Sequence, residues 1–532
     1  MSGPRRHREA LWLALLWGWL LLVALGRPLL PIDETRYASV AWEMWQRGDL
    51  LLPVLNGEPY AHKPPLLFWL IHAGWALFGV SETWPRLISP LFAAGTLALT
   101  AALARQLWPA RPEVARTAPF VLLSCLLYSY FATALMFDAM LTFFVTLGLL
   151  GLVRASQGDG GRVAGLGLLA LGLAGALFSK GPVALLHLLP AALLAPWWQR
   201  GLARPWRRWF AGVGAALGMA AALVLAWALP AAAAGGEAYR AAIFWHQTAG
   251  RVSDSFAHAA PPWFHLAWLP LTLAPWLLWP RWWRAAHAAG PQLRDEPGWR
   301  LAVAAALLGL LAFSMLSGKR PHYLLPEFPL FALIVARALS PQLALRPPGR
   351  WALAVPALSL ALLARAAWAA SPVLNARLAT PAEGLWLLAA GALAAACAAA
   401  LAGCRPGAAA LDVQRVAVAS VLAAGGVMFG LDQALRQPYD LHAVAQRLAR
   451  HQAAGQPVAV AGAHHGQWTF AGRLERPPQT LATAAEVPAW LAAHPQGRVV
   501  LAYGLRGVPP AGTKAEFTQP YRGGWLAVLA AP

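Results

Sequence analysis

Cysteine is nearly missing from this chain: Cys125, Cys397 and Cys404 are the only three in 532 residues, all in or beside apolar runs and without a pairing pattern. That scarcity argues against a disulfide framework and against a thiolate metal site. Charge is scarce too. Only 12% of residues are charged and 59% are hydrophobic, with a mean hydropathy of +0.51, so most of the chain belongs in lipid. Acidic residues are the rarer sign, 22 against 42 Lys and Arg, for a net charge of +20. The basic residues are scattered between apolar runs, and the lack of one basic, aromatic-laced surface excludes a nucleic-acid reading. No fixed-period repeat is visible.

What is present is a series of membrane-length apolar stretches. The first, residues 11–25, follows Arg5, Arg6 and Arg8 and ends in Gly26-Arg27-Pro28 with no small-x-small cleavage site, so it reads as a retained span. Further spans are expected at 86–106, 117–134, 138–153, 163–179, 181–198, 208–230, 263–280, 300–316, 321–339, 351–370, 384–403 and 413–430, about thirteen in all. The apolar segment 64–80 decides the orientation. Placed in the interface, it puts the Arg-rich loops, such as those with Arg105, Arg111 and Arg116 or with Arg204, Arg207 and Arg208, on the inner side. The chain is thus mainly α and polytopic over 1–431, with 31–85 as a first outer loop holding interfacial helices. From 432 to 532 the pattern turns soluble: helical spacing at 440–453, a strand at 456–463, a helix near 484–494, a strand at 498–504 and an apolar run at 525–531 predict a small outer α/β domain.

With that topology the chemically suggestive residues gather on the outer face, while the helix centres are almost pure Leu, Ala and Gly. A transporter would instead place ionisable residues near the bilayer midplane. A lipid or solute transporter remains the alternative from another class, supported by the span count alone. Asp33 and Glu34 open an amphipathic helix that runs to a C-cap at Gly48, with Tyr37 one turn beyond Asp33 and two aromatic edges suited to the interface. Asp33 is a candidate general base or a helix N-cap. Lys63, held extended before Pro64-Pro65, is a candidate phosphate contact, with Lys319 and Arg320 as further cations or snorkelling anchors. Asp138 in ALMFDAMLTFF is a site acid or an N-cap. His62, His246 and His258 lack ligand spacing; no cofactor is required, though His62 and His258 could help bind a divalent metal. An outward constellation at the membrane surface suits a donor with its tail in lipid, a polyprenyl-phosphate sugar. One carboxylate can suffice there, because phosphate leaves without a general acid.

The segments PIDETRYASVAWEMWQRGD, NGEPYAHKPPLLFWL, FDAMLTFF, SKGP, FWHQTAGRVSDSFAHAAPPWF and KRPHYLLPEFPL together resemble successive motifs of the bacterial aminoarabinose transferase-like glycosyltransferases, relatives of the protein O-mannosyltransferases. The resemblance covers about residues 10–340. It implies a C-type glycosyltransferase fold, a polyprenyl-phosphate-sugar donor, a lipid or glycan acceptor such as lipid A, and catalysis at the periplasmic face of the inner membrane. By position in the motifs, Asp33 is the catalytic aspartate, Tyr37 and Lys63 contact the donor phosphate and Asp138 is the second acid. Glu34, Tyr60, His62, Arg251, His258 and Tyr323 are further candidates in the same motifs. The chain departs from the aminoarabinose-transferring members in two places: His62 stands where they usually carry Glu, and Gln247-Thr248 where they tend to carry Glu-His.

Overall fold

The computed structural model describes residues 3–200, 206–246, 259–342, 350–378 and 381–532. Nine helices among the described residues are long and apolar enough to cross a membrane. Several expected spans are broken where proline or a turn interrupts the hydrogen-bond ladder. The 117–134 stretch splits into α5 (Pro112–Ser124) and α6 (Leu126–Phe131) about an extended Cys125, and 181–198 becomes a 3-10 turn and two short helices with Pro190 inside one of them. The 263–280 stretch is helical only over Phe264–Thr272. The 64–80 segment forms α3 (Leu66–Phe78), whose 13 residues are too few to cross a bilayer unaided.

The first helix, α1 (Gly3–Leu25), leads into α2 (Asp33–Arg47), which Gly48 ends in the left-handed region at φ 63°. The predicted boundaries hold, but the surroundings differ from the interfacial expectation. Trp42 and Trp45 pack edge-on to Trp75, Trp42 also meets Phe470, and the Trp42 indole donates to the Leu474 carbonyl at 2.9 Å. The aromatic edges of α2 therefore meet protein: α3 on one side and the C-terminal domain on the other.

After α2, a short hairpin pairs β1 (Val54–Leu55) with β2 (Glu58–Pro59), and α4 (Thr83–Leu107) follows α3. A helical hairpin pairs α7 (Phe137–Ser156) with α8 (Asp159–Lys180) at close range in the membrane region. A Cβ on Gly151 would lie 2.5 Å from the Leu169 nitrogen, so the two backbones can touch only because glycine stands there. Its antiparallel course brings Lys180, the last residue of α8, to Asp138, the second of α7.

The C-terminal unit is the expected α/β domain with two strands the pattern did not reveal. Its sheet order is β4 (Gln479–Leu481), β3 (Val458–Ala461), β5 (Arg498–Gly504), β7 (Gly524–Ala530), β6 (Lys514–Tyr521), parallel across the first three and antiparallel across the rest. β4 and β6 are the edges: one is three residues long, and the other is mostly polar with Pro520 in it, as edge strands tolerate. Helix His442–Ala453 covers one sheet face through Val444 and Leu448, and helix Val487–Ala493 covers the other through Trp490 and Leu491.

His442 ties this domain to the head of α4. Its Nε2 lies 2.5 Å from Glu82 and its Nδ1 2.6 Å from Asp440. The hydrogen bonds to Asp440 and Glu82 raise the imidazole from 6.5 to about 10, against the opposing effect of burial. A raised folded value contributes stability fully below the unfolded value and loses it as pH rises through the folded one. Docking of the C-terminal domain should therefore weaken between pH 6.5 and about 10, while His442→Gln should remove that dependence. Hydrogen exchange across β3 and β5 as a function of pH checks this; protection independent of pH in the wild type would count against the latch.

Candidate active site

Glu34 fixes where α2 begins. Its buried carboxylate accepts both terminal Arg27 nitrogens at 2.7 and 2.6 Å, the Leu30 N–H at 2.9 Å and the Leu135 N–H at 2.8 Å. Arg27 also donates to the Thr133 carbonyl at 3.0 Å. This clamp joins the start of α2 to the segment before α7, and thus sets Asp33 near Phe137 and Asp138. Glu34, a candidate from the motif, is fully occupied as a clamp and belongs to the scaffold.

Asp33 is the first residue of α2, and the N-cap position is held by Ile32 with no side-chain cap bond, so the capping alternative is corrected. The Asp33 carboxylate, 48% exposed, pairs with Arg36 and lies 3.5 Å from the Tyr37 hydroxyl. Tyr37 is buried with its ring edge-on to Phe137 at 4.9 Å. Burial, and next the Asp33 charge, push the Tyr37 phenol well above its ordinary value, which keeps it a donor. Burial works against the Arg36 guanidinium, but Tyr60, Tyr37 and Asp33 nearby hold it above its ordinary value.

Phe137 is the shared wall. The Lys63 ammonium sits 5.6 Å from its ring centroid, and Phe68 meets it edge-on at 5.8 Å. Tyr60 stacks on His62 at 5.1 Å beside this wall. One residue further, Asp138 caps nothing: Met136 is the N-cap residue, and the Asp138 carboxylate meets the Lys180 ammonium at 2.5 Å. Lys180 in turn lies 4.8 Å over the Tyr323 ring, and Asp138 is within electrostatic reach of His322 and Lys63.

The structure thus brings together Asp33, Tyr37, Tyr60, His62, Lys63, Asp138 and Tyr323. It sets Lys319 apart from them. That ammonium is buried and donates to the carbonyls of Ala260, at 2.7 Å, and of Leu316, next to the isolated bridge between Ala259 and Gly318. Arg320 is exposed, within electrostatic reach of His322. Arg251 and His258 lie outside the described residues, as does the side chain of His246. Among the described residues no group of three His, Cys, Asp or Glu could hold a metal ion. Motif reading left out Arg36, although its i,i+3 spacing from Asp33 was a usable signal. It also gave Lys180 no role, and it had no means of finding His465 of the C-terminal domain, which feels the charges of Arg36 and Asp33.

Residues 13–234 match the family model described as dolichyl-phosphate-mannose-protein mannosyltransferase. Two proteins named undecaprenyl phosphate-α-4-amino-4-deoxy-L-arabinose arabinosyl transferase are similar in sequence. One, from Pseudomonas fluorescens (strain Pf0-1), is 33% identical over 59% of this chain and 56% of its own length. The other, from Pseudomonas aeruginosa (strain LESB58), is 34% identical over 65% of this chain and 64% of its own length. Each match spans less than two thirds of the relative. The crystal structure of ArnT from Cupriavidus metallidurans bound to undecaprenyl phosphate superposes with a TM-score of 0.78 over 98% of this chain and 99% of that one, at 19% identity. Fold and apolar helices together define a multi-pass membrane protein with a C-type glycosyltransferase fold. The chain is similar to the aminoarabinose transferase-like proteins and, over residues 13–234, to the protein mannosyltransferases. The transporter alternative has no support from either.

Proposed function

We propose that this chain transfers a sugar from an undecaprenyl-phosphate-linked donor to an acceptor at the periplasmic face, lipid A or another envelope glycan. The observation that carries the reading is the grouping of one half-exposed carboxylate, Asp33, with a hydroxyl donor, Tyr37, and a cation, Lys63, around the Phe137 wall. The named relatives act with undecaprenyl phosphate and 4-amino-4-deoxy-L-arabinose, which supports the donor class.

In the proposed reaction the acceptor oxygen attacks the anomeric carbon, its proton passes to Asp33, and the bond from that carbon to the phosphate oxygen breaks. Undecaprenyl phosphate leaves with the bonding pair, its charge met by Lys63 and the Tyr37 hydroxyl. Arg36 orients the Asp33 carboxylate. Asp138 and Lys180 form a buried pair that fixes the floor under Tyr323. Purified protein supplied with the lipid-linked donor and lipid A should release undecaprenyl phosphate and glycosylated acceptor together. Donor movement across the bilayer without phosphate release would overturn the reading.

Lys63→Ala should weaken donor binding without a comparable loss of turnover at saturating donor. A charge-assisted contact to phosphate is worth about 1.5–3 kcal/mol, or roughly 10 to 150-fold in affinity. Titration with undecaprenyl phosphate measures it, and an unchanged affinity would remove Lys63 from the phosphate site.

A further inference from the structure

A loop of the C-terminal domain crosses onto α2 close to Asp33. The Ser39 hydroxyl donates to the Gly466 carbonyl at 2.6 Å and accepts from the Phe470 N–H at 3.1 Å, while Asn56 Nδ2 donates to the His464 carbonyl at 3.3 Å. Gly466 sits at φ 64°, a conformation that favours glycine, and a Cβ there would lie 2.8 Å from Leu55 Cδ1 and displace that side chain of the β1–β2 hairpin.

Between these anchors stands His465, half-buried. Gln467 Oε1 accepts its backbone N–H at 2.7 Å, and Gln467 Nε2 reaches the Tyr521 hydroxyl at 3.4 Å. That second contact sets the tip of the β6–β7 hairpin, and with it Arg522, beside the loop. Burial and then Arg36 push the His465 imidazole below its ordinary value; Asp33 opposes and Arg522 adds to the push. His465 is therefore a neutral hydrogen-bonding group near neutral pH, set between the head of α2 and the hairpin arginine. Among the described residues its ring makes no hydrogen bond and exposed Arg522 makes no ion pair. Arg36 already offsets the charge of Asp33, so the charge of Arg522 is left over on this side.

We propose that His465 and Arg522 are binding residues that form the acceptor side of the Asp33 site and hold a phosphate group of the acceptor while Asp33 takes the proton of the attacking acceptor oxygen. The inference rests on the transfer reading above. It makes the C-terminal domain part of the active site, with the donor phosphate met from the membrane side by Lys63 and the acceptor met from above.

The test uses the full chain in lipid nanodiscs, the undecaprenyl-phosphate sugar as donor, and lipid A or dephosphorylated lipid A as acceptor probes. His465→Ala and Arg522→Ala should each raise the acceptor KM about tenfold or more, the scale of one charge-assisted hydrogen bond. The affinity for undecaprenyl phosphate should stay unchanged, and His465→Gln and Arg522→Lys should recover part of the loss. Dephosphorylated lipid A should show the raised KM with the wild type and be insensitive to both substitutions. An unchanged acceptor KM, an equal fall in donor affinity, or failure of the wild type to use lipid A would each overturn the proposal. If the wild type releases no undecaprenyl phosphate with any acceptor, it is the transfer reading that fails, whatever the His465 variants do.

Discussion

Asp33→Asn is expected to lower turnover about 10² to 10⁴-fold while leaving donor affinity largely intact, because it removes proton acceptance and keeps the shape of the side chain. Neither a lost helix cap nor a lost ion pair would produce so large an effect. The cap role is not filled by Asp33, since Ile32 occupies the cap position without a side-chain bond, so a stability loss through the cap is not expected. The ion pair with Arg36 is also lost in the variant, but the carboxylate is 48% exposed, and pairs of that kind contribute about 0–1 kcal/mol. The variant should therefore fold normally and fail chemically. Turnover and undecaprenyl phosphate affinity, measured on protein with a wild-type melting profile, separate the two. Near-normal turnover would end the case for Asp33 as the base.

Lys180→Met should instead attack the fold at the same site. It strands the Asp138 carboxylate, whose side chain is 2% exposed, beside a partner side chain that is itself only 11% exposed. Breaking a buried pair by removing one member costs about 3–5 kcal/mol, because the remaining charge has nothing to offset its desolvation. A large fall in melting temperature is expected. Asp138→Asn combined with Lys180→Met should restore most of it, since neither charge then remains. A single Lys180→Met variant that melts like the wild type would show that water or another cation compensates Asp138. The double variant also separates scaffold from chemistry: recovered stability with normal turnover would confine the pair to holding the floor under Tyr323.

Short-range order was legible in the sequence. The helix from Asp33 to the Gly48 cap follows from apolar spacing and one residue able to adopt positive φ, and the C-terminal strands β3, β5 and β7 follow from apolar runs. Less legible was how far an apolar stretch continues as one helix. Cys125 and Pro190 interrupt runs whose composition alone reads as continuous, because hydropathy measures preference for lipid and says nothing of the backbone ladder. The edge strands β4 and β6 were hidden for a related reason: a short or polar edge has little apolar face to reveal it.

The sequence by itself determined that this is a polytopic membrane protein, and it singled out the segments proposed here to hold the chemistry, since residue type and local spacing suffice for both. Only the tertiary structure decided how those segments meet. Asp138 finds Lys180 because a glycine-lined hairpin turns α8 back along α7, and Glu34 becomes a clamp because Arg27 and the backbone before α7 reach it. His465 comes to Asp33 through the contact of Ser39 with Gly466, 427 positions apart in the chain. A pair that distant leaves no periodic or compositional trace, because what selects it is the packing of two separately folded surfaces and not the preference of either segment.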